Sequence, residues 1–321
     1  MSRLLATLSD SAMCGMMYVL QRRHRLPPGA RGQMLEYLGR NEHMPRADFF
    51  AAALTLPLTP PGGAASPLLW QSPVGTRFPE NDRCHALAFP CEKGWGAPTV
   101  IMLHALMSAS DRGYRAWARD FNMRGWNAVF VHLPYHYSRT PRRHLNGELA
   151  ITADVVRTAE GLRAGTAEVR QLMAWLRTLG CREFGLWACS YGGWIGALLA
   201  GVERDFRWIT LIEPIVDLGD ALWRSPVARA LRRHFRDGGI EPALIERFHP
   251  LVSPAHGTPL CEGGRILFAA GEYDRIARPE DIRKLHRQWD GSTMLTEPQG
   301  HFGFRLMRAA WRWLETRGLL E

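Results

Sequence analysis

Lysine is nearly absent from the 321-residue chain: Lys93 and Lys284 are the only two among 40 basic residues. The net charge of +9, against 31 acidic residues, is therefore almost wholly arginine, spread along the chain and not gathered into a run. Nucleic-acid surfaces concentrate basic residues in a patch or stripe. The charge thus predicts a solvated basic surface and no nucleic-acid partner, with attraction to anionic substrates or lipid headgroups as the alternative. No C-x-x-C pair occurs among Cys14, Cys84, Cys91, Cys181, Cys189 and Cys261, which leaves a zinc site unsupported. Cys181 and Cys189 adjoin predicted strands, where buried thiols are common. The expectation is a reducing, cytoplasmic setting without structural disulfides. No apolar run reaches the roughly 18 residues that a membrane-spanning helix needs. Internal repeats and extended low-complexity tracts are also missing.

What is present is a globular composition, 46% hydrophobic, enough for a sizeable core. At the N-terminus, Leu4, Leu8, Ala12, Met16 and Leu20 fall on one helical face. Asp10 interrupts the apolar stretch and the basic cluster follows it, the reverse of a secretory signal. The face predicts an amphipathic helix docked on the body. A membrane-surface helix with Arg22, Arg23 and Arg25 near the headgroups is the alternative. Residues 1–66 are expected to form a helical extension, including "GQMLEYLGR" and "ADFFAAALTL" and ending in the loop "LTPPGGAASP".

Residues 67–321 read differently. "LLWQSPVG" and "CHALAFP" are short strands around a turn at "FPEND". "TVIMLH", "NAVFVHL", "EFGLWA", "RWITLIE", "RILFAAG" and "STMLTE" are further strands, alternating with helices. The longest helix is expected from Ala150 to Leu179. Such alternation predicts an α/β fold: a mostly parallel, doubly wound sheet of about eight strands with an antiparallel edge. Residues 217–259 would form a small cap, with the arginines outward and with Trp223, Leu231 and Phe235 either facing a ligand or only packing on the body.

Ligands in such sheets bind beyond the carboxyl ends of the strands. Three chemistry-bearing residues stand there. Ser190 follows "EFGLWA" in "ACSYGG", Asp274 follows "RILFAAG", and His301 follows "STMLTE". A serine on a sharp strand-to-helix turn projects its hydroxyl clear of the sheet, and the turn needs small neighbours such as Ala188 and Gly192. A serine opening a helix is also a favoured cap. Glu213, after "RWITLI", is an alternative acid. Cys189 precedes the centre of the turn and should point elsewhere. No histidine–carboxylate cluster has metal-site spacing, and no cofactor is expected. His132, His136 and His256 read as polar loop residues, with His136 or Arg139 able to line a pocket.

The pattern around Ser190 resembles the G-x-S-x-G nucleophile elbow of the α/β-hydrolases, with Ala188 in place of the first glycine. The order Ser190, Asp274, His301 is that family's order of nucleophile, acid and base. "VIMLHALMSASD" resembles the family's loop that supplies one oxyanion N–H, from Ala105 or Leu106, with Ala105 where glycine is usual. The elbow's N–H would come from Tyr191, and His104 would brace the loop. The resemblance covers about Leu68 to Glu321. "VHLPYHYSRTP", "RFHPLVSP" and "GHF" are similar to a branch of abhydrolase-domain proteins with an LPYY-type loop. It implies a serine hydrolase acting on an ester or thioester, with a small-molecule or lipid-like acyl substrate. The alternative is a hydrolase-like scaffold with little catalysis, motivated by Ala188 and Ala105.

Overall fold

The computed structural model describes residues 2–52, 58–60, 63 and 65–321. Among the described residues eight strands form one sheet in the order β1-β2-β4-β3-β5-β6-β7-β8. They are β1 (Ser66–Gln71), β2 (Arg83–Phe89), β3 (Thr99–Leu103), β4 (Asn127–His132), β5 (Phe184–Cys189), β6 (Phe206–Ile212), β7 (Ile266–Gly271) and β8 (Thr293–Glu297). β1 and β2 pair antiparallel, and β2 meets β4 antiparallel. All other pairings are parallel. β3, β4, β5 and β7 are buried throughout. That explains their unbroken apolar runs: strands covered on both faces have no solvent side to mark with polar residues.

The helices are α1 (Arg3–Gln21), α2 (Ala30–Asn41), α3 (Arg46–Phe49), α4 (Pro79–Asp82), α5 (Arg112–Met123), α6 (Val155–Thr178), α7 (Tyr191–Ala200), α8 (Leu218–Trp223), α9 (Arg229–Asp237), α10 (Pro242–Glu246), α11 (His249–Val252), α12 (Pro279–Gln288) and α13 (Arg305–Thr316). The apolar core is split by the sheet. One layer holds α6, α7 and the 217–259 segment; the other holds α5 and α13.

Several expectations need correction. The long helix starts at Val155, not Ala150, because the Asp154 carboxylate accepts from the Arg157 N–H (3.1 Å) and caps it there. The "FPEND" turn is the short helix α4, opened by Pro79 at a position that tolerates proline. The helix expected over "ADFFAAALTL" ends as α3 at Phe49; residues 53–56 of that stretch, residue 57, and 61, 62 and 64 of the following loop lie outside the described residues. The N-terminal helix does dock on the body, but by the other face. Of the expected face Leu4, Leu8, Ala12 and Met16 are exposed and Leu20 alone is buried, together with Ala6, Asp10, Cys14, Met17 and Gln21. The reason is Asp10, whose carboxylate finds backbone donors on the body and turns that side of α1 inward.

Candidate active site

The turn at the end of β5 is built around strain. Ser190 has φ 49° and ψ −110°, a conformation costing about 1–3 kcal/mol that only dense packing sustains. Its N–H donates to the Ile212 carbonyl at 2.8 Å, and its carbonyl accepts from Trp194 N at 2.9 Å, so the residue closes the sheet and opens α7. A Cβ at Gly192 would stand 2.6 Å from the backbone carbonyl of Leu103, which makes glycine obligatory there. The methyl of Ala188 is absorbed one turn along α7. A Cβ at Gly196 would be 2.9 Å from the Ala188 Cβ, so the missing side chain at one position accommodates the added one at the other.

From this turn a hydrogen-bonded chain crosses three strand ends. Ser190 Oγ lies 2.8 Å from His301 Nε2, and His301 Nδ1 lies 2.7 Å from Asp274 Oδ2. Asp274 Oδ1 accepts from the N–H groups of Ile276 (2.7 Å) and Ala277 (2.9 Å), which fixes the carboxylate. With Nδ1 donating to that carboxylate, the neutral imidazole leaves Nε2 free to accept from the serine hydroxyl. Burial works against charging His301, but the carboxylates of Asp274, Glu213 and Asp10 outweigh it and raise its pKa to about 9.

Two further carboxylates stand behind the imidazole. Glu213, at φ 49° on the end of β6, is buried and accepts from Gln299 Nε2 at 2.9 Å. Its carboxylate comes within 4.8 Å of the functional atoms of Asp274 and His301. Burial, with Asp274 adding to it, pushes the Glu213 carboxyl well above the usual range. The alternative acid is thus adjacent to the relay, but the imidazole bonds Asp274. Asp10 was not legible as a site residue. One of its oxygens accepts from His301 N (3.1 Å), the other from Arg275 N (3.2 Å), so α1 clamps the acid loop and the histidine loop together. Burial raises its pKa, and the two backbone N–H bonds oppose the rise. The available signal was that Asp10 is the one charged residue between Arg3 and Arg22.

Ser190 opens into an apolar cavity of about 110 Å³ bordered by Leu106, Trp194, Ile215, Leu222, Leu231 and Phe235, with Met17 and Gln21 of α1 closing one side. Leu231 and Phe235 face it as expected. Trp223 does not border it; its neighbour Leu222 does, because the α8 turn places only one of them inward. Neither His136 nor Arg139 lines it. Arg139 is fully buried in a bidentate pair with Glu168 (2.6 and 2.8 Å). His136 Nε2 accepts from Met107 N at 3.2 Å, and burial lowers its pKa to about 4.

In the loop after β3 the left-handed residue is Met107 (φ 53°), not Ala105, so the alanine is not held in the backbone conformation that favours glycine. His104 Nε2 accepts from Leu133 N (3.1 Å) and its Nδ1 donates to the Ala105 carbonyl (2.9 Å), which braces the loop. Leu106 borders the cavity beside Ser190, whereas Ala105 packs into the core on the opposite side of the sheet. Tyr191 opens α7, where the N–H groups have no acceptor within the helix. Cys189 points into that opposite core, and burial pushes its thiol up to about 12.

A histidine–carboxylate cluster does exist, assembled by the fold and not by spacing: His24, His144 and Glu148. His24 Nε2 bonds Glu148 Oε1 at 2.8 Å, and Glu148 Oε2 accepts from Leu145 N at 2.7 Å. Its bonds tie the segment after α1 to the 144–148 loop.

No family model matches the chain. An uncharacterized protein of Mycobacterium tuberculosis, present in two strains, is 30% identical over 220 residues, 65% of this chain and 50% of that protein. The chain therefore spans about half the length of the curated relatives it matches. Among solved structures, an acetyl xylan esterase of a Paenibacillus species superposes with a TM-score of 0.62 at 13% identity, covering 84% of this chain and 90% of the esterase. Acetyl xylan esterase 1 of a Thermoanaerobacterium species gives 0.59 at 16% identity, covering 94% and 96%. A puromycin-hydrolyzing peptidase of Mycobacterium tuberculosis gives 0.52 at 17% identity, covering 78% of this chain and 38% of the peptidase. At these identities the likeness is one of fold.

Proposed function

We propose that this chain, which has the α/β-hydrolase fold, is a serine hydrolase that cleaves an ester or thioester with an apolar acyl group. The observation that carries the reading is the chain Ser190–His301–Asp274 at 2.8 and 2.7 Å, opening directly into an apolar cavity. In the first step Ser190 Oγ attacks the acyl carbonyl carbon while His301 Nε2 takes the hydroxyl proton. Asp274 holds the imidazole in the required tautomer and stabilises its charged form. The oxyanion is stabilised by the Tyr191 N–H and by an N–H of the loop after β3, from Leu106 on the cavity side or from Ala105. Each such donor contributes about 2.7–4 kcal/mol in comparable sites. The tetrahedral intermediate collapses, and the leaving alcohol or thiol takes the proton from His301. Water, deprotonated by the same nitrogen, then attacks the acyl-serine and releases the acid.

The cavity lining supports the substrate class. Its walls are almost entirely aliphatic and aromatic, so it stabilises a hydrocarbon chain and offers little to a sugar. Two local features favour the hydrolase over a catalytically weak scaffold: Gly196 accommodates Ala188, and the positive φ falls at Met107, not at Ala105. A serine-directed fluorophosphonate tests the reading: wild-type protein is labelled, and Ser190→Ala is not. Equal labelling of both proteins, or none of the wild type, rejects it. With p-nitrophenyl esters, kcat/KM rises about fourfold per added methylene until the cavity is filled.

A further inference from the structure

Helix α1 turns two apolar faces in opposite directions. The inner face carries Asp10 to the relay and Met17 to the acyl cavity. The outer face carries Leu4, Leu5, Leu8, Met16 and Val19, which are 42–69% exposed. At about 100° per residue these five fall within one third of the helix circumference. Isolated exposed leucines need no explanation, but a contiguous apolar stripe marks a surface that is covered by something.

The charges around the stripe say what covers it. Between Arg3 and Arg22 the one charged side chain is Asp10, and it is buried on the far side. Arg22, Arg23 and Arg25 are exposed just beyond the C-terminal end of the stripe, and none has an ion-pair partner among the described residues. Arg229 of the adjacent helix α9 is also exposed and unpaired among the described residues; its guanidinium and that of Arg22 lie 5.2 and 5.6 Å from the Tyr18 ring. A second copy packed face to face on α1 would set arginines against arginines, and the outer face of α1 itself offers no carboxylate to pair them. An anionic surface with an apolar interior satisfies both features: hydrocarbon for the leucines, phosphate for the guanidinia.

We propose that the outer face of α1 docks this protein on an anionic lipid bilayer, with the stripe entering the acyl boundary and the arginines at the headgroups. Because the same helix walls the cavity through Met17 and Gln21, docking brings the acyl site to the bilayer surface. The docking face is independent of the hydrolase reading, so the test uses both the wild type and Ser190→Ala.

Flotation with vesicles of phosphatidylglycerol and phosphatidylcholine in equal parts, against phosphatidylcholine alone, reads the binding. Both proteins are expected on the anionic vesicles, with binding weakened by high salt. Leu8→Glu/Val19→Glu abolishes binding but leaves hydrolysis of a short soluble ester unchanged, since both positions face solvent. Arg22→Gln/Arg23→Gln weakens it by about fivefold per arginine removed. Equal binding to neutral vesicles, no binding, binding unaffected by these substitutions, or a dimer in light scattering that Leu8→Glu/Val19→Glu dissociates would each overturn the proposal. Loss of labelling by fluorophosphonate with binding intact would count against the hydrolase reading alone.

Discussion

Asp10 holds two backbone N–H groups with two separate oxygens, one from each loop of the relay. An amide has one acceptor, so Asp10→Asn leaves one of these buried donors facing an NH₂ group. The imidazole is then held less firmly, and kcat is expected to fall on the order of ten- to a hundredfold while KM changes little. A second readout separates this from general damage. In the proposed mechanism the neutral form of His301 is the base, and its pKa is raised to about 9, so kcat/KM is expected to climb with pH toward that value and to be lost below it. Asp10 is one of the anions that raise it, and Asp10→Asn therefore moves the limb to lower pH. A pH–rate profile in which the variant's limb stays put refutes the assigned role.

At the scale of elements, the strand–turn–helix of β5 and α7 shows how a motif can be altered and still close. Ala188 departs from glycine, and Gly196 makes room for it. Gly196→Ala forces two methyls together and costs about 1–3 kcal/mol as overpacking. Adding Ala188→Gly to it restores most of that loss, which urea denaturation of the single and double variants will measure; additive losses would contradict the pairing. Helix α1 teaches the complementary lesson. Its periodicity was correctly helical, but two faces of the helix were apolar enough to dock. The choice between them was made by one carboxylate and the donors it meets on the body. Periodicity reports that a face is apolar; it does not report what stands opposite.

Across the whole molecule, the 8-stranded sheet brings together residues separated by more than a hundred positions, and buried polar pairs lock the loops around it. Arg139 and Glu168 are both fully buried, and the Arg139 guanidinium also donates to the Asn81 carbonyl. Removing one partner leaves an uncompensated buried charge, so Glu168→Gln is expected to cost about 3–5 kcal/mol. Thermal melting will show this as a lowered midpoint; an unchanged melting curve would mean the pair contributes nothing. The sequence admits Arg139 as a pocket residue because an arginine in a loop carries no mark of the acid that awaits it. His136 misled for the same reason, its partners being backbone atoms of two loops.

The strand order along the chain, the parallel sheet with its antiparallel edge, and the strand ends bearing Ser190, Asp274 and His301 were determined by the sequence itself. Continuous apolar runs, abrupt changes of period and small residues at a tight turn are local signals with local physical causes. Tertiary structure alone decided that Asp10 joins the relay, that Gly196 accommodates Ala188, that Met107 takes the left-handed turn, and which side of α1 faces outward. Each of these depends on atoms distant in the chain meeting within a few ångströms, and no periodicity in one dimension encodes which carboxylate, methyl or backbone donor will be on the other side.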